Sequence, residues 1–425
     1  MKVVVRYRSY GGEREVTIDP GTPSDSVDLE VVSPAEGVKA LTDGEIVEAL
    51  NLPFEPGTGT LYIVNDLDRP TPTERLLRLL AGRYPGAHSG DVIVATGAHK
   101  VPDSVKEAER RILGRLSDSF SGRIHFHDST ADPKVLVGRT PRGTKVEVSS
   151  RLFEYDNIVA VGSVEPHWFA GYTGGRKSIV PGVASFETIR QNHFLALSKG
   201  SGPVVTAGNP VYEDIQDAAS LVVKRLKEKN VEVFGINVVS RGENIHGVFC
   251  GPILDSITPL FDKVEYIYIK EADRADIVIA VAEAPMDRDL YQAMKSFENV
   301  RGAIKMGGSY ILVASCPDGV GPPHFSETMG LASRGDALTE RLSGGYRLGD
   351  HKFKNPIGFI DGGGTMTVVS EALSRTGYGG EAGFFTVCGT LKDALRKEVE
   401  RQGGGGGDVR VLVVMDAVNL VVVPK

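Results

Sequence analysis

The sequence predicts an α/β protein: two α/β domains with mainly parallel sheets and a ligand cleft between them. Three observations carry this. Short apolar runs, LYIV at 61–64, VIVA at 92–95, IVAV at 158–161 and IVIAV at 277–281, read as strands buried on both faces, as parallel sheets require. Amphipathic helical stretches alternate with them. Most of these strands run into loops rich in carboxylates, histidines or glycines, at the sheet edge where open α/β folds bind ligands.

The totals bound the class. A chain of 425 residues allows two or three domains, and 41% hydrophobic with 24% charged residues is ordinary for a globular protein. A net charge of -7 argues against a general nucleic-acid surface. No apolar run approaches the roughly 20 residues of a membrane span. The first residues, MKVVVRYRSYGGEREV, carry charges where a secretory signal needs apolar ones. Cys250, Cys316 and Cys388 lie far apart, with neither metal spacing nor a disulfide framework, so a reduced cytoplasm is the expected location.

Taken in order, residues 2–6 and 15–18 predict a hairpin around Gly11 and Gly12. A short helix is expected at 43–50. The strand at 60–66 ends in carboxylates, and Thr71-Pro72-Thr73-Glu74 has the spacing of a capping box with proline at the first helical position. Asp66, Asp68 and Arg69 then lie on a loop between a strand and a helix N-terminus. A strand at 91–96 leads to a loop with His99, and residues 102–116 form a charged helix. His125 and His127 alternate on a strand at 123–127 and share a face, which suits either a metal pair or a half-exposed strand. A strand at 157–164 runs into EPHWFAGYTGGRKS at 165–178. Ser185 is an N-cap candidate for a helix at 185–198 that carries His193. A helix at 211–229 and a strand at 231–239 follow. Charge rises over 262–273, and the domain boundary is placed there, giving domains 1–265 and 266–425. The second contains a strand at 275–282, a helix at 289–305, a strand at 310–314, and later strands at 384–388 and 409–414 around a helix at 392–401. Residues 403–407 are five glycines, a flexible connector. The apolar piece at 420–423 could return to either domain.

The loop at 165–178 fits more than one chemistry. It holds His167, Trp168, Phe169, three glycines and Lys177. Residues 171–178 nearly match G-x-x-x-x-G-K-[ST], which would make a nucleotide-binding, phosphotransferase-like protein. Arg176, however, stands where the second glycine must let backbone wrap phosphate. Alternatively Lys177 bonds a cofactor and His167 serves as acid or base. A zinc hydrolase built on His99, His167 and His193 is a further possibility, and an ordinary glycine-rich turn with a solvated lysine is the plainest. On the helix at 289–305, Tyr291, Gln292 and Lys295 stand at i, i+1 and i+4; a lysine beside an amide there suits a carboxylate, or simply a solvated face.

Together the segments NDLDRPTP (65–72), ATGAHK (95–100), EPHWFAGYTGGRKSIVPG (165–182), IRQNH (189–193) and APMDRDLYQAMK (284–295) give a resemblance. The chain resembles the nickel-dependent lactate racemase family of 2-hydroxyacid racemases and epimerases. The resemblance implies a nickel-pincer nucleotide, a pyridinium mononucleotide with thioamide and thiocarboxylate arms, held covalently by Lys177. It implies His193 as the protein's nickel ligand, which suits nickel(II) beside soft sulfur donors. Asp66, Leu67, Asp68 and Arg69 would contact the cofactor. His99 and His167 would be the acid/base pair on the two faces of the substrate, with the C2 hydrogen moving as hydride. Gln292 and Lys295 would hold the substrate carboxylate, helped by Arg69 and Tyr291. Cofactor-maturation proteins and a small 2-hydroxy acid are the implied partners. There is one departure. Lactate-specific members carry a tryptophan near the substrate in the C-terminal domain, whereas the single tryptophan here is Trp168. The corresponding region reads LGDHKFKNP (348–356), where His351 and Lys352 either line the substrate pocket or, the preferred reading, lie on a surface loop. Lactate, malate, an aromatic 2-hydroxy acid and a sugar acid all remain candidate substrates.

Overall fold

The computed structural model describes residues 3–9, 12–18, 27–69, 71–332, 337–343, 345–377, 384–403 and 408–425. Gly11, Pro70 and the last four of the five consecutive glycines lie outside them. The chain folds into two compact units, residues 37–266 and residues 1–36 with 267–425. The opening hairpin pairs β1 (Val3–Ser9) with β2 (Gly12–Ile18). After it comes β3 (Val27–Val32).

In the 37–266 unit, α1 (Asp43–Ala49) begins with a closed capping box between Thr42 and Glu45. Then come β4 (Thr60–Asn65), α2 (Thr73–Arg83), β5 (Asp91–Ala95), α3 (Val105–Leu113), β6 (Ile124–Phe126) and the antiparallel pair β7 (Lys134–Arg139) and β8 (Lys145–Ser149). The capping box expected at 71–74 does not form: α2 starts behind Pro72 with no side-chain cap. Thr71 Oγ1 is instead bonded to Asn65 Nδ2 at 2.7 Å and Ser163 Oγ at 2.8 Å, tying together the ends of two neighbouring strands. The unit continues with β9 (Asn157–Ser163), the short strands β10 (Pro166–His167) and β11 (Ala170–Tyr172), α4 (Phe186–Phe194), β12 (Gly202–Pro203), α5 (Pro210–Lys227), β13 (Glu232–Arg241), β14 (Asn244–Pro252) and α6 (Phe261–Tyr268), which runs across the unit boundary.

Its main sheet has the order β14-β13-β9-β4-β5-β6 and is parallel except for β14. Sequence reading ended this region with β13. The hairpin back into β14 turns at Gly242, whose φ of +57° a side chain would strain. Apolar residues of β4, β5 and β9, among them Tyr62, Val64, Val92, Val94, Val159 and Val161, pack against Leu76, Leu80, Ile112 and Leu113 of α2 and α3. From β4 the chain adds β5 and β6 on one side, then returns to add β9 and β13 on the other. The loops after β4 and β9 therefore open at a topological switch point, where α/β sheets bind ligands.

The other unit continues with β15 (Ile269–Ala272), β16 (Ala275–Val281), α7 (Leu290–Ala293), α8 (Lys295–Val300), β17 (Ile304–Val313), α9 (Pro323–Ala332), α10 (Ala337–Ser343), α11 (Lys354–Asp361), β18 (Thr365–Val369), α12 (Glu371–Arg375), β19 (Thr386–Cys388), α13 (Leu391–Gly403), β20 (Val409–Val414) and β21 (Val421–Pro424). Its sheet, β19-β18-β17-β16-β20-β3, is wholly parallel. The first 36 residues thus belong with the C-terminal part, not with a 1–265 domain. β3 completes the edge beside β20, where Arg410 bonds Asp28 and Glu30, each at 2.7 Å. β21 pairs with β15 and stays in this unit. The single helix expected at 289–305 is two short ones. It ends early because β17 begins at Ile304. Among the described residues no helix is long and apolar enough to cross a membrane.

Candidate active site

The switch point of the 37–266 unit gathers the first group of predicted residues. Asp66, Leu67, Asp68 and Arg69 form the turn after β4; Leu67 packs against the core, and the Arg69 N–H donates to Asp66 O at 3.3 Å. Asn65 and Ala95 are cross-strand partners, so the loop carrying His99 emerges beside that turn. His99 Nδ1 lies 2.6 Å from Asp66 Oδ2 and 3.4 Å from Asp68 Oδ2. A carboxylate only accepts, so the His99 proton sits on Nδ1 and the lone pair of the neutral ring on Nε2.

His167 has the opposite tautomer. Its Nδ1 accepts the Ala170 N–H at 3.2 Å, so its proton is on Nε2 when the ring is neutral. The buried ring of Phe169 joins this group together. Its centroid is 4.6 Å from that of His167, 4.5 Å from Trp168 and 5.0 Å from His193, and the Lys177 Nζ lies 6.0 Å from it. The turn that delivers Lys177 needs its glycines. Gly174 has φ +81°, and a Cβ there would fall 2.8 Å from Asn237 Oδ1, the atom that accepts the Gly175 N–H at 2.7 Å. That bond uses an amide a phosphate loop would need. Arg176 is buried with its guanidinium 4.0 Å from the centre of the Tyr212 ring, where burial pushes its pKa down. The phosphotransferase-like geometry is therefore not what this loop adopts.

α4 places His193. Ser185 Oγ caps the helix by accepting the Thr188 N–H at 3.1 Å. Loss of water around the His193 ring pushes its pKa down to about 3, and the charge of Lys177, with that of His99 when protonated, adds to it. Histidine, lysine and second histidine thus share one electrostatic environment, and His193 stays neutral, the form that ligates metals. Glu165 is buried as well. Its Oε2 accepts from Thr173 Oγ1 at 2.9 Å while its Oε1 has no hydrogen-bond partner among the described residues. Among the described residues, the group whose metal-ligating atoms lie within 4.8 Å of one another is Asp66, Asp68 and His99, not the three imidazoles a zinc hydrolase would need.

The second group lies in the other unit, after β16, again beside a point where strand order reverses. Asp289 caps α7 by accepting the Gln292 N–H at 2.7 Å. Gln292 is buried, with Oε1 unpartnered. Tyr291 and Lys295 fall on different short helices, not on one continuous face. His351 and Lys352, expected on a surface loop, are buried. Asp350 anchors their turn by accepting from Thr328 Oγ1 at 3.0 Å and the Arg347 N–H at 2.7 Å. Lys352 Nζ donates to Tyr291 O at 2.7 Å and lies 3.7 Å from the ring centre. Burial, and then the charge of Lys295, hold its pKa well below the usual lysine range. His351 Nδ1 is 2.6 Å from the Tyr346 hydroxyl. The His125 and His127 pair, by contrast, is structural: both rings meet Asp132 Oδ2, at 2.6 and 3.1 Å, and His127 is fully buried against Ala184 O.

Sequence comparison identifies the class. Residues 30–202 match the lactate racemase N-terminal domain, and residues 270–344 match the lactate racemase C-terminal domain. Together they span more than half of the chain, which belongs to the lactate racemase family. The lactate racemases of Thermoanaerobacterium thermosaccharolyticum and Lactiplantibacillus plantarum are each 31% identical to it, over 271 and 274 residues. The matched region spans 62% of this chain and 62% of each relative. Among solved structures, the lactate racemase apoprotein from T. thermosaccharolyticum superposes with a TM-score of 0.81 at 25% identity, covering 99% of this chain and 100% of that one. A protein from Thermotoga maritima, 17% identical with a TM-score of 0.69 and coverage of 92% and 100%, has the same fold.

Sequence reading passed over three contributors, Phe169 as the centre of the aromatic group, Glu165 and Asn192, and preferred a surface loop for Lys352. Asn192 had one signal, its place directly before His193. Nothing local marks the burial of Lys352, which depends on elements about 20 to 60 residues away.

Proposed function

We propose that this protein is a racemase or epimerase that inverts C2 of a 2-hydroxy acid with a nickel-pincer nucleotide. The observation that carries this is the convergence of His167, His193 and Lys177 around the Phe169 ring. The residues present suit the group. A neutral imidazole is the donor nickel(II) prefers beside sulfur, the unpartnered Glu165 Oε1 awaits a donor such as a hydroxyl, and Lys177 supplies the amine for a covalent link. Lys177 and His193 would hold the cofactor, with Asp66, Leu67, Asp68 and Arg69 lining it. When bound, the group supplies an acceptor for the C2 hydrogen as hydride.

The remaining work falls to this chain. His99, with its lone pair on Nε2 and its Nδ1 proton given to Asp66, is oriented to take a hydroxyl proton. His167 would return a proton as the imidazolium, releasing the Ala170 N–H that its Nδ1 accepts when the ring is neutral. Two groups, each a base when neutral and an acid when protonated, suit a reaction whose enantiomers present the hydroxyl to different sides. Gln292 and Lys295, with Tyr291 and Arg69, would hold the carboxylate. The substrate is a 2-hydroxy acid such as lactate or a larger relative, and cofactor-maturation proteins are the expected partners. A reducing cytoplasm is the proposed setting, in keeping with the three free cysteines.

Intact mass of protein produced with maturation partners tests this. The expected result is an adduct on Lys177, absent in Lys177→Ala, together with nickel and racemisation of one or more 2-hydroxy acids. Protein without adduct, nickel or racemisation under those conditions would overturn it.

A further inference from the structure

Asn192 and Asp214 are both fully buried, and neither has a role in the chemistry above. Asn192 Nδ2 donates to Asp214 Oδ2 at 2.8 Å and reaches Val211 O at 3.5 Å. Both partners are acceptors, so the orientation of the Asn192 amide is set and its Oδ1 faces His193 Nδ1 at 3.2 Å. An amide oxygen cannot donate, so His193 must carry its proton on Nδ1 and its lone pair on Nε2. Asp214 cannot turn away, because Thr140 Oγ1 at 2.5 Å and Thr144 Oγ1 at 2.9 Å, from the β7–β8 hairpin, both donate to it.

We infer that Asp214 and Asn192 are positioning residues that hold His193 as its Nδ1–H tautomer, so that Nε2 is presented as an electron-pair donor. Hydrogen bonds to the far nitrogen commonly fix the tautomer of a ligating histidine. Here an amide is interposed between carboxylate and ring. The carboxylate orders the donor without sharing a proton with it, and the imidazole does not acquire imidazolate character. The purpose of the arrangement rests on the proposed ligand role of His193; the tautomer itself does not.

The test uses the full-length protein without cofactor, labelled with nitrogen-15 at histidine. Long-range proton–nitrogen correlation spectra distinguish the two tautomers, and His193→Gln assigns the signal. Wild type is expected to show a protonated Nδ1 and an unprotonated Nε2. Asp214→Asn lets the Asn192 amide reverse, and Asn192→Leu removes the acceptor, so both should shift His193 toward the Nε2–H form. Thr140→Val removes only a support of Asp214 and should leave the tautomer unchanged. In protein carrying the cofactor, the first two variants should retain nickel about 10- to 100-fold less tightly. If Asp214→Asn does not fold, Asn192→Leu decides. A wild-type Nε2–H tautomer, or an unchanged tautomer in the folded variants, overturns the inference, as does the shifted tautomer with undiminished nickel retention. The expected tautomers with no nickel on wild-type protein would support the inference and count against the proposed function.

Discussion

The ring of Phe169 meets that of His193 edge to face, with centroids 5.0 Å apart and planes at 69°. The same ring meets His167 at 83° and Trp168 at 86°, so one buried side chain sets the spacing of two histidines. Phe169→Leu keeps most of the buried volume and removes the flat faces. It should cost about 1 kcal/mol or somewhat more of stability. Racemisation should fall on the order of 100-fold, the scale expected for a misplaced reacting group. Chiral chromatography with a thermal melt measures both. Unchanged turnover would mean that the histidines are held by other means.

Asp66 holds the proton of His99 on Nδ1. Asp66→Asn offers an amide in place of the carboxylate and weakens that constraint. Both directions of racemisation should fall by the same factor, between about 100- and 10,000-fold, the range supplied by general acid–base catalysis. Asp68→Asn should cost less, since its contact is 3.4 Å. Initial rates from each enantiomer decide this, and a loss in one direction only would be incompatible with the roles proposed.

Deuterium at C2 should slow turnover in wild type. It should remain expressed in His99→Gln and His167→Gln, where the proton steps are impaired. Comparing rates on protiated and deuterated substrate checks whether C2–H cleavage is part of the slow chemistry.

Lys352 is buried beside Lys295, with its folded pKa below the unfolded value. The unfolded chain therefore binds more protons, and the resulting destabilisation lessens as pH rises toward the ordinary lysine value of about 10.4. Lys352→Met should be more stable relative to wild type at pH 7 than at pH 10, as read from melting temperatures. A difference independent of pH would show that the lysine is accommodated without cost.

Glu398 supplies the opposite sign. Burial by itself would raise its pKa, but Arg401, Ser309 and Thr365 hold the carboxyl below its ordinary value. Its contribution is present above about pH 4.3 and is lost as pH falls through the folded value. Glu398→Gln should lose on the order of 2 kcal/mol at pH 7, allowing for the partial exposure of Arg401. The gap to wild type should close on acidification. Denaturant melts at pH 7 and pH 3.5 would show it.

The sequence alone was enough for the α/β class, the strand-to-loop order and the residue types at the switch point. Each of those is written in a local pattern: an apolar run of strand length, or a glycine pair where the backbone must turn. It was also enough for the resemblance, because the motif loops are contiguous. Only tertiary structure decided the company these residues keep. β3 left the domain its position suggested because the edge of β20 offered it a strand partner and the Arg410 guanidinium for its Asp28 and Glu30 carboxylates. Thr71 gave up a helix cap for Asn65 and Ser163. His351 and Lys352 went inside because Asp350, Thr328 and Tyr291 met them there. Periodicity along a chain reports which face of an element is apolar. It does not report which distant donor and acceptor will satisfy a buried polar group, and in this protein those pairings set the tautomers and charges on which the proposed chemistry depends.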